Sequence, residues 1–120
     1  MDSRQLVRLC VELADTKKAE ALVILDVRKL TSIADYFIIA TGTSEPHLRA
    51  VVEGIVENLQ TQHGLRPRAV DGVFKSSWVV LDFQDVIVHV MRAETRQHYD
   101  LEGLWGDAPR LKPLQHDLLP

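Results

Sequence analysis

Four side chains that can do chemistry interrupt an apolar stretch from residue 76 to residue 91, SSWVVLDFQDVIVHVM. They are Trp78, Asp82, Asp85 and His89. Closely spaced carboxylates can bind divalent cations, and a histidine can serve as a general base or a ligand. The same residues on an exposed strand can instead form a surface that holds another protein. The stretch therefore poses a choice between catalysis and docking.

The two aspartates are better explained by a turn than by a metal site. We expect Phe83 and Gln84 to form a two-residue turn between two strands, with Asp82 and Asp85 flanking it. Aspartate is common at turns because its side chain bonds to nearby backbone. Two-metal chemistry needs two or three carboxylates around ions ~4 Å apart, and no third is obviously supplied.

The remaining candidate ligands and nucleophiles form no recognisable set. The five histidines lack His-x-His or His-Glu-x-x-His spacing, and a single cysteine, Cys10, can neither complete a zinc site with confidence nor form an internal disulfide. Ser44 lacks the flanking glycines of a nucleophile elbow or a P-loop, so we predict that it caps a helix. We expect no catalytic residue, metal or cofactor. The alternative is a nucleotide-binding enzyme that holds a nucleotide and magnesium with Ser44 and Asp82 or Asp85.

The pattern around these residues predicts one α/β domain. A chain of 120 residues, 46% apolar and 26% charged, is typical of a single folded unit. Apolar spacing predicts helices over residues 3–18, from Ser44 to Gly64, and over 95–105, where Leu101, Leu104 and Trp105 share a face. Apolar runs at 21–27 and 35–42 predict strands, and three more follow Leu65. This order indicates a mixed sheet of about five strands flanked by helices.

The ends and the charge of the chain give weaker information. We expect a domain over residues 1–106 and a C-terminal tail over 107–120, because three prolines and no sustained period follow Trp105. The net charge of −3 provides no global attraction to nucleic acid or to anionic membranes. No apolar run approaches the ~20 residues of a membrane span, and we expect a cytoplasmic protein.

Strand alternation separates the tryptophan hairpin into two faces. One is uniformly apolar and must be the core side; it carries Val79, Leu81, Val86, Val88 and Val90. The other is mixed and at least partly open; it carries Trp78, Val80, Asp82, Asp85, Ile87 and His89. The predicted turn would place Trp78 opposite His89 and Val80 opposite Ile87. An open face with a tryptophan is typical of an interaction hot spot, although a tryptophan packed beneath a helix is an equal alternative.

A small basic cluster precedes this strand. It consists of Arg66, Arg68 and Lys75, which could approach phosphate or acidic side chains. An edge strand protected by charge explains the three cations equally well.

Four segments in register give the chain a specific resemblance. The segments LDV, ADYFIIATGTS, WVVLDFQDVIVHVM and RQHYDLEGLW closely resemble the ribosomal silencing factor family, also called the iojap-like proteins, from about Leu6 to Asp107. The resemblance implies a fold similar to nucleotidyltransferases without their catalytic residues. It also implies a factor that binds ribosomal protein L-fourteen on the large subunit and blocks joining of the small subunit under nutrient limitation or in stationary phase.

The resemblance also implies which residues meet the partner. Trp78 matches the family's aromatic on this strand and is expected to be the central anchor. Lys75 and Val80 are predicted partner contacts by proximity, and His89 matches the family on the same face. Further matches, most of them expected to be structural, are Asp35, Tyr36, Gly42, Ser44, Arg96, Tyr99, Glu102, Leu104 and Trp105.

Two residues depart from the family pattern. Gln84 stands at a turn position where the family often has glycine, and Pro46 enters the start of a helix.

A homodimer of the free chain, which would cover Trp78, is a further alternative.

Overall fold

The computed structural model describes residues 1–72, 75 and 77–111. In this part of the chain the elements are α1 (Ser3–Thr16), β1 (Glu20–Asp26), β2 (Tyr36–Thr41), α2 (Glu45–His63), β3 (Ala69–Asp71), β4 (Trp78–Asp82), β5 (Val86–Met91), α3 (Ala93–Tyr99), α4 (Leu101–Leu104) and β6 (Arg110–Leu111).

The strands form one mixed sheet in the order β3-β4-β5-β2-β1-β6. Strands β2 and β5 pair in parallel, and the other described pairs are antiparallel. The predicted α/β class is confirmed, but the described sheet has six strands rather than about five. The additional strand, β6, has two residues and pairs with β1 at Ile24 and Leu25, which is too short for any sequence pattern to reveal.

The first two helices begin where the sequence predicts. The carboxylate of Asp2 accepts from the backbone N–H of Gln5, whose side chain accepts in return from Asp2, so α1 starts with a capping box. The hydroxyl of Ser44 accepts from the backbone N–H of His47 at 3.1 Å, which confirms its predicted role as the cap of α2. Gly64 ends α2 in the left-handed conformation.

Helices α1 and α2 cover one face of the sheet and enclose the main core. The five predicted core residues of the hairpin all lie in this cluster and are buried, which confirms the face assignment. The opposite face carries a smaller cluster around Leu25, Phe37, Ile39 and Met91. Packing of two layers against the sheet accounts for the burial of every residue of β2.

The segment after β5 differs from the single helix predicted over residues 95–105. Asp100 adopts the left-handed conformation with φ 45 and separates α3 from α4. Leu101 and Trp105 pack against the smaller core cluster, whereas Leu104 is 73% exposed. The prediction that these three residues share one helical face is therefore wrong for Leu104, because the break at Asp100 leaves α4 with one turn.

The hairpin register is shifted by two residues from the prediction. Trp78 lies opposite Met91 and Val80 lies opposite His89, so the predicted pairing of Trp78 with His89 is wrong. The turn consists of Gln84 and Asp85, because the N–H of Phe83 still donates to the carbonyl of Val86 at 2.9 Å. Phe83 stays in the ladder since its ring is buried in the main core. An even shift leaves the two faces unchanged.

The described chain continues past the domain end expected at residue 106. Ala108 is buried, and residues 110–111 pair with β1, so this part of the predicted tail lies against the sheet. The boundary itself stays a prediction, since residues 112–120 lie outside the described residues. None of the described helices is long and apolar enough to cross a membrane.

Candidate functional site

An open depression of about 390 Å³ lies beside β4, on the face opposite α1 and α2. We call it the Trp78 surface; it is lined by Asp71, Gly72, Trp78, Val80, Thr95 and Tyr99. Trp78 and Val80 are half-buried, which is the burial predicted for this face. Tyr99 is 56% exposed, and its ring centroid lies 4.9 Å from that of Trp78. Two aromatic rings therefore share one wall of a shallow, open depression.

The fold leaves this part of the sheet open because the C-terminal segment covers the other part. Trp105 packs edge-on against Phe37 of β2, with ring centroids 5.1 Å apart, and Leu101 joins the same cluster. Strand β3, at the sheet edge beside β4, has three residues. Gly72 follows it with φ 89, and a Cβ there would collide with the carbonyl oxygen of Trp78. Glycine thus permits the close approach of backbone that forms the rim.

His89 holds the indole of Trp78 from the neighbouring strand. The indole N–H donates to Nδ1 of His89 at 3.1 Å, a diagonal contact across the β4–β5 pair. The His89 ring also meets Phe37 edge-on, with centroids 5.7 Å apart. Burial lowers the pKa of His89 to about 4, so the ring is neutral at pH 7 and Nδ1 is free to accept. His89 is thus a hydrogen-bond partner of Trp78.

The structure places the other predicted contact, Lys75, with its side chain exposed. Lys75 stands between residues 73, 74 and 76, which lie outside the described residues, and it precedes Trp78 on the approach to β4. Of the four predicted partner residues, three therefore lie on β4 and β5, and the fourth lies in the connection before them.

Asp82 and Asp85 act as turn residues. One carboxylate oxygen of Asp82 accepts from the backbone N–H of Gln84 at 2.7 Å, and the other pairs with Arg68 at 3.0 Å. Asp85 has an exposed side chain, and its carbonyl accepts from the N–H groups of Asp35 and Tyr36. Both aspartates therefore lie at the turn as predicted, but Asp85 is part of the turn and does not flank it.

Ser44 and the aspartates lie at opposite ends of the sheet. Strands β2 and β5 run parallel, with Thr41 beside Met91 at one end and Tyr36 beside Val86 at the other. Ser44 follows the first end and Asp85 precedes the second, so a strand length of roughly 17 Å separates them. In the described part of the chain, no three histidine, cysteine or acidic side chains come together as a metal site would require.

The predicted basic cluster is divided among local partners. Arg66 donates to the side chain of Gln60, and Arg68 pairs with Asp82. These contacts favour the second interpretation of the cations, in which they protect and order the region beside the edge strand.

A larger open cavity of about 830 Å³ surrounds Arg96 on the same side of the sheet. The Arg96 guanidinium donates to Glu102 at 2.7 Å, to the hydroxyl of Thr41 at 2.8 Å and to the carbonyl of Ala21 at 2.7 Å. Its side chain is only 10% exposed. The hydrogen bond from Arg96 lowers the pKa of Glu102. These bonds tie the C-terminal helices to β1 and β2, so the two family matches Arg96 and Glu102 are structural.

Sequence reasoning did not place four residues of the Trp78 surface in the site. The sequence indicated Tyr99 only as a family match and Thr95 only as part of a predicted helix. Its match to the family was the one sequence signal for Tyr99. Its proximity to Trp78 depends on how α3 crosses the sheet, which no local pattern encodes.

Comparison with known protein families identifies relatives of the whole chain. A family model described as "Ribosomal silencing factor during starvation" matches residues 1–118. The chain belongs to the ribosomal silencing factor family. The "Ribosomal silencing factor RsfS" of Halalkalibacterium halodurans is 38% identical, and the alignment covers 93% of this chain and 95% of that protein.

Other members of the ribosomal silencing factor family extend the comparison to solved structures and to organelles. A crystal structure of a Chromobacterium violaceum protein superposes with a TM-score of 0.84 at 30% identity, covering 96% of this chain and 94% of that one. The mouse protein "Mitochondrial assembly of ribosomal large subunit protein 1" is 32% identical over 82% of this chain and 44% of its own length. The resemblance seen in the sequence is confirmed, and so is the fold.

Proposed function

We propose that this protein represses translation by binding the large ribosomal subunit through ribosomal protein L-fourteen, and that it thereby blocks association with the small subunit. Family membership supports a silencing role under starvation. The name of the mouse relative, which refers to the large ribosomal subunit, supports that subunit as the partner. Nutrient limitation or stationary phase is the proposed condition, and the cytoplasm the proposed compartment.

The observation that carries the proposal is the half-buried Trp78 beside the exposed Tyr99. Tryptophan and tyrosine are enriched at the centres of protein interfaces, because a rigid ring supplies a large contact area at a small cost in side-chain entropy. At the Trp78 surface both rings line one depression, and Val80 adds apolar area next to them. Lys75 and His89 are the remaining proposed partner residues.

The proposed mechanism is steric and involves no reaction. A 13.6 kDa protein bound where the two subunits meet needs only to occupy volume that the small subunit requires. The net charge of −3 supports a protein partner rather than extensive contact with ribosomal RNA. The proposal therefore includes no catalytic residue and no cofactor.

Two sedimentation experiments test this function. Native protein mixed with purified large subunits is expected to travel with them in a sucrose gradient. When small subunits are then added, joined ribosomes are expected to decrease in proportion to the bound factor. Binding without any effect on joining would contradict the steric mechanism, and failure to bind the large subunit would contradict the choice of partner.

The enzyme alternative makes a separate prediction. It requires Ser44 and an aspartate to hold a nucleotide together, and the parallel pairing of β2 and β5 separates them. Titration calorimetry with nucleoside triphosphates and Mg²⁺ is expected to show no binding. Tight, metal-dependent binding would favour the enzyme.

A homodimer of the free chain stays a prediction. If two copies bury Trp78 against each other, the mass in solution would be twice the monomer mass, and isolated L-fourteen would convert the dimer to a one-to-one complex. Sedimentation equilibrium with and without L-fourteen measures both states.

A further inference from the structure

The hydrogen bond between Trp78 and His89 constrains the orientation of the indole ring. An indole has one donor and no acceptor, so its N–H points to a single preferred place, the unprotonated Nδ1 of His89 at 3.1 Å. The rings lie 5.9 Å apart with their planes inclined at 46°, so the contact sets the direction of the indole edge rather than a stack. The bond therefore favours the orientation of the Trp78 ring in which the indole N–H points to His89.

His89 is itself held firmly. Phe37, which contacts it edge-on, is 4% exposed and belongs to the smaller core cluster. His89 is the cross-strand neighbour of Val80 and the parallel neighbour of Ile39, both in the centre of the sheet. The histidine is therefore attached to the rigid part of the domain, whereas Trp78 stands at the start of β4 beside the open depression.

We propose that His89 is a positioning residue, which acts on the partner through Trp78 by holding the indole in its docking orientation before the complex forms. This inference rests on the proposed docking role of Trp78. A ring that is already oriented loses less side-chain entropy on binding than one that must be ordered by the partner. Loss of the bond alone is expected to weaken large-subunit binding about 3- to 10-fold, less than the loss of the ring.

Two amide substitutions of His89 separate positioning from direct contact. The side-chain oxygen of asparagine falls near the place of Nδ1 and can accept from the indole, whereas the longer glutamine reaches the place of Nε2. His89→Asn is expected to bind large subunits within about 2-fold of native protein, and His89→Gln about 3- to 10-fold more weakly. Equal losses in both variants, or a loss confined to His89→Asn, would overturn the proposal.

A double-mutant cycle tests whether His89 acts through the indole. Trp78→Phe keeps a ring but removes the N–H, so His89→Gln in the Trp78→Phe background is expected to change binding less than 2-fold. A full 3- to 10-fold loss in that background would show that His89 acts by another route and would overturn the inference.

Nuclear magnetic resonance of the free protein gives a readout that is independent of the ribosome. The chain has two tryptophans, so the indole N–H signal that disappears in Trp78→Phe belongs to Trp78. That signal is expected to exchange slowly in native protein and in His89→Asn, and rapidly in His89→Gln. The imidazole nitrogens of His89 should show Nδ1 unprotonated at pH 7. A protonated Nδ1 would overturn the inference. If native protein keeps the indole hydrogen bond but does not bind large subunits, the proposed function is contradicted instead.

Discussion

The ring of Tyr99 lies 4.9 Å from the ring of Trp78, with the two planes inclined at 49°. This contact joins the end of α3 to the start of β4 and creates the aromatic wall of the Trp78 surface. Trp78 packs against the smaller core cluster, whereas Tyr99 is the more exposed of the two residues. The pair therefore presents one partly buried and one exposed ring to a partner.

Tyr99 is expected to contribute directly to docking. Tyr99→Ala should weaken large-subunit binding by about 1 kcal/mol or more, with little change in stability because the side chain is largely exposed. Tyr99→Phe should bind nearly as well as native protein if ring area supplies the contact. Leu104→Ala, which removes another exposed apolar side chain outside the depression, is the matched control. Equal binding by Tyr99→Ala and Leu104→Ala would remove Tyr99 from the interface.

The hairpin turn stores backbone strain at Gln84. Its φ is 77, a region that costs residues with a Cβ about 1 kcal/mol and costs glycine little. Gln84→Gly is therefore expected to raise the free energy of unfolding by up to about 1 kcal/mol in urea titrations, because relief of strain exceeds the added freedom of the unfolded chain. Gln84→Ala keeps the Cβ and should give no gain. A gain of equal size in both variants would refute the strained turn.

The neutral state of buried His89 predicts a loss of stability in mild acid. Its pKa is about 4 in the folded protein and 6.5 when exposed, so between these values the unfolded chain binds more protons. Stability is then complete above pH 6.5 and falls as the pH is lowered towards 4, with a slope approaching about 1.4 kcal/mol per pH unit.

His89→Asn isolates this contribution from that of the other histidines. The difference between native protein and His89→Asn in urea denaturation should change between pH 6.5 and 4 and stay constant between pH 7 and 8. Glu102, whose pKa is lowered by Arg96, begins to lose its contribution as the pH falls below its ordinary value of 4.5, but it does so in both proteins and cancels in the difference. Parallel curves for the two proteins across the window would contradict a buried, neutral His89.

Arg96 is expected to be the main polar support of the C-terminal segment. Arg96→Met removes donors to Glu102, Thr41 and Ala21 in a nearly buried setting, and should lower the free energy of unfolding by about 2–4 kcal/mol. Arg96→Lys should recover only part of this loss, because an ammonium group cannot reproduce the forked geometry. Arg110→Ala removes an exposed cation 3.8 Å from Glu102 and serves as the control, with a cost below about 1 kcal/mol. Similar losses for Arg96→Met and Arg110→Ala would refute this role.

The parts of the fold that the sequence could predict are those with local signals. Ser44 begins α2 and Gly64 ends it because hydroxyl caps and left-handed glycines act within one helical turn. The alternation from Val79 to Val90 assigned the core face correctly, since a strand's side chains alternate regardless of register. The four segments that resemble the family are local as well, and the match of the family model over residues 1–118 confirms that resemblance.

The features that could not be predicted depend on distant residues. The hairpin register follows from burial of the Phe83 ring beneath α1 and α2, which a turn rule applied to four residues does not include. Strand β6 exists because β1 offers it a free edge. Tyr99 reaches Trp78 because Asp100 ends α3 at that point. Strand alternation therefore placed Trp78, Val80 and His89 on one face correctly, but it did not indicate which residues of other elements lie beside that face.

The most direct test of the account is the affinity of Trp78→Ala for purified large subunits, measured by quantitative co-sedimentation. Ile33→Ala, which removes an exposed apolar side chain at the opposite end of the sheet, is the matched control. We predict that Trp78→Ala binds at least about 30-fold more weakly than native protein, while its circular dichroism is retained and the control binds normally. Native affinity in the Trp78→Ala variant would contradict docking through this surface.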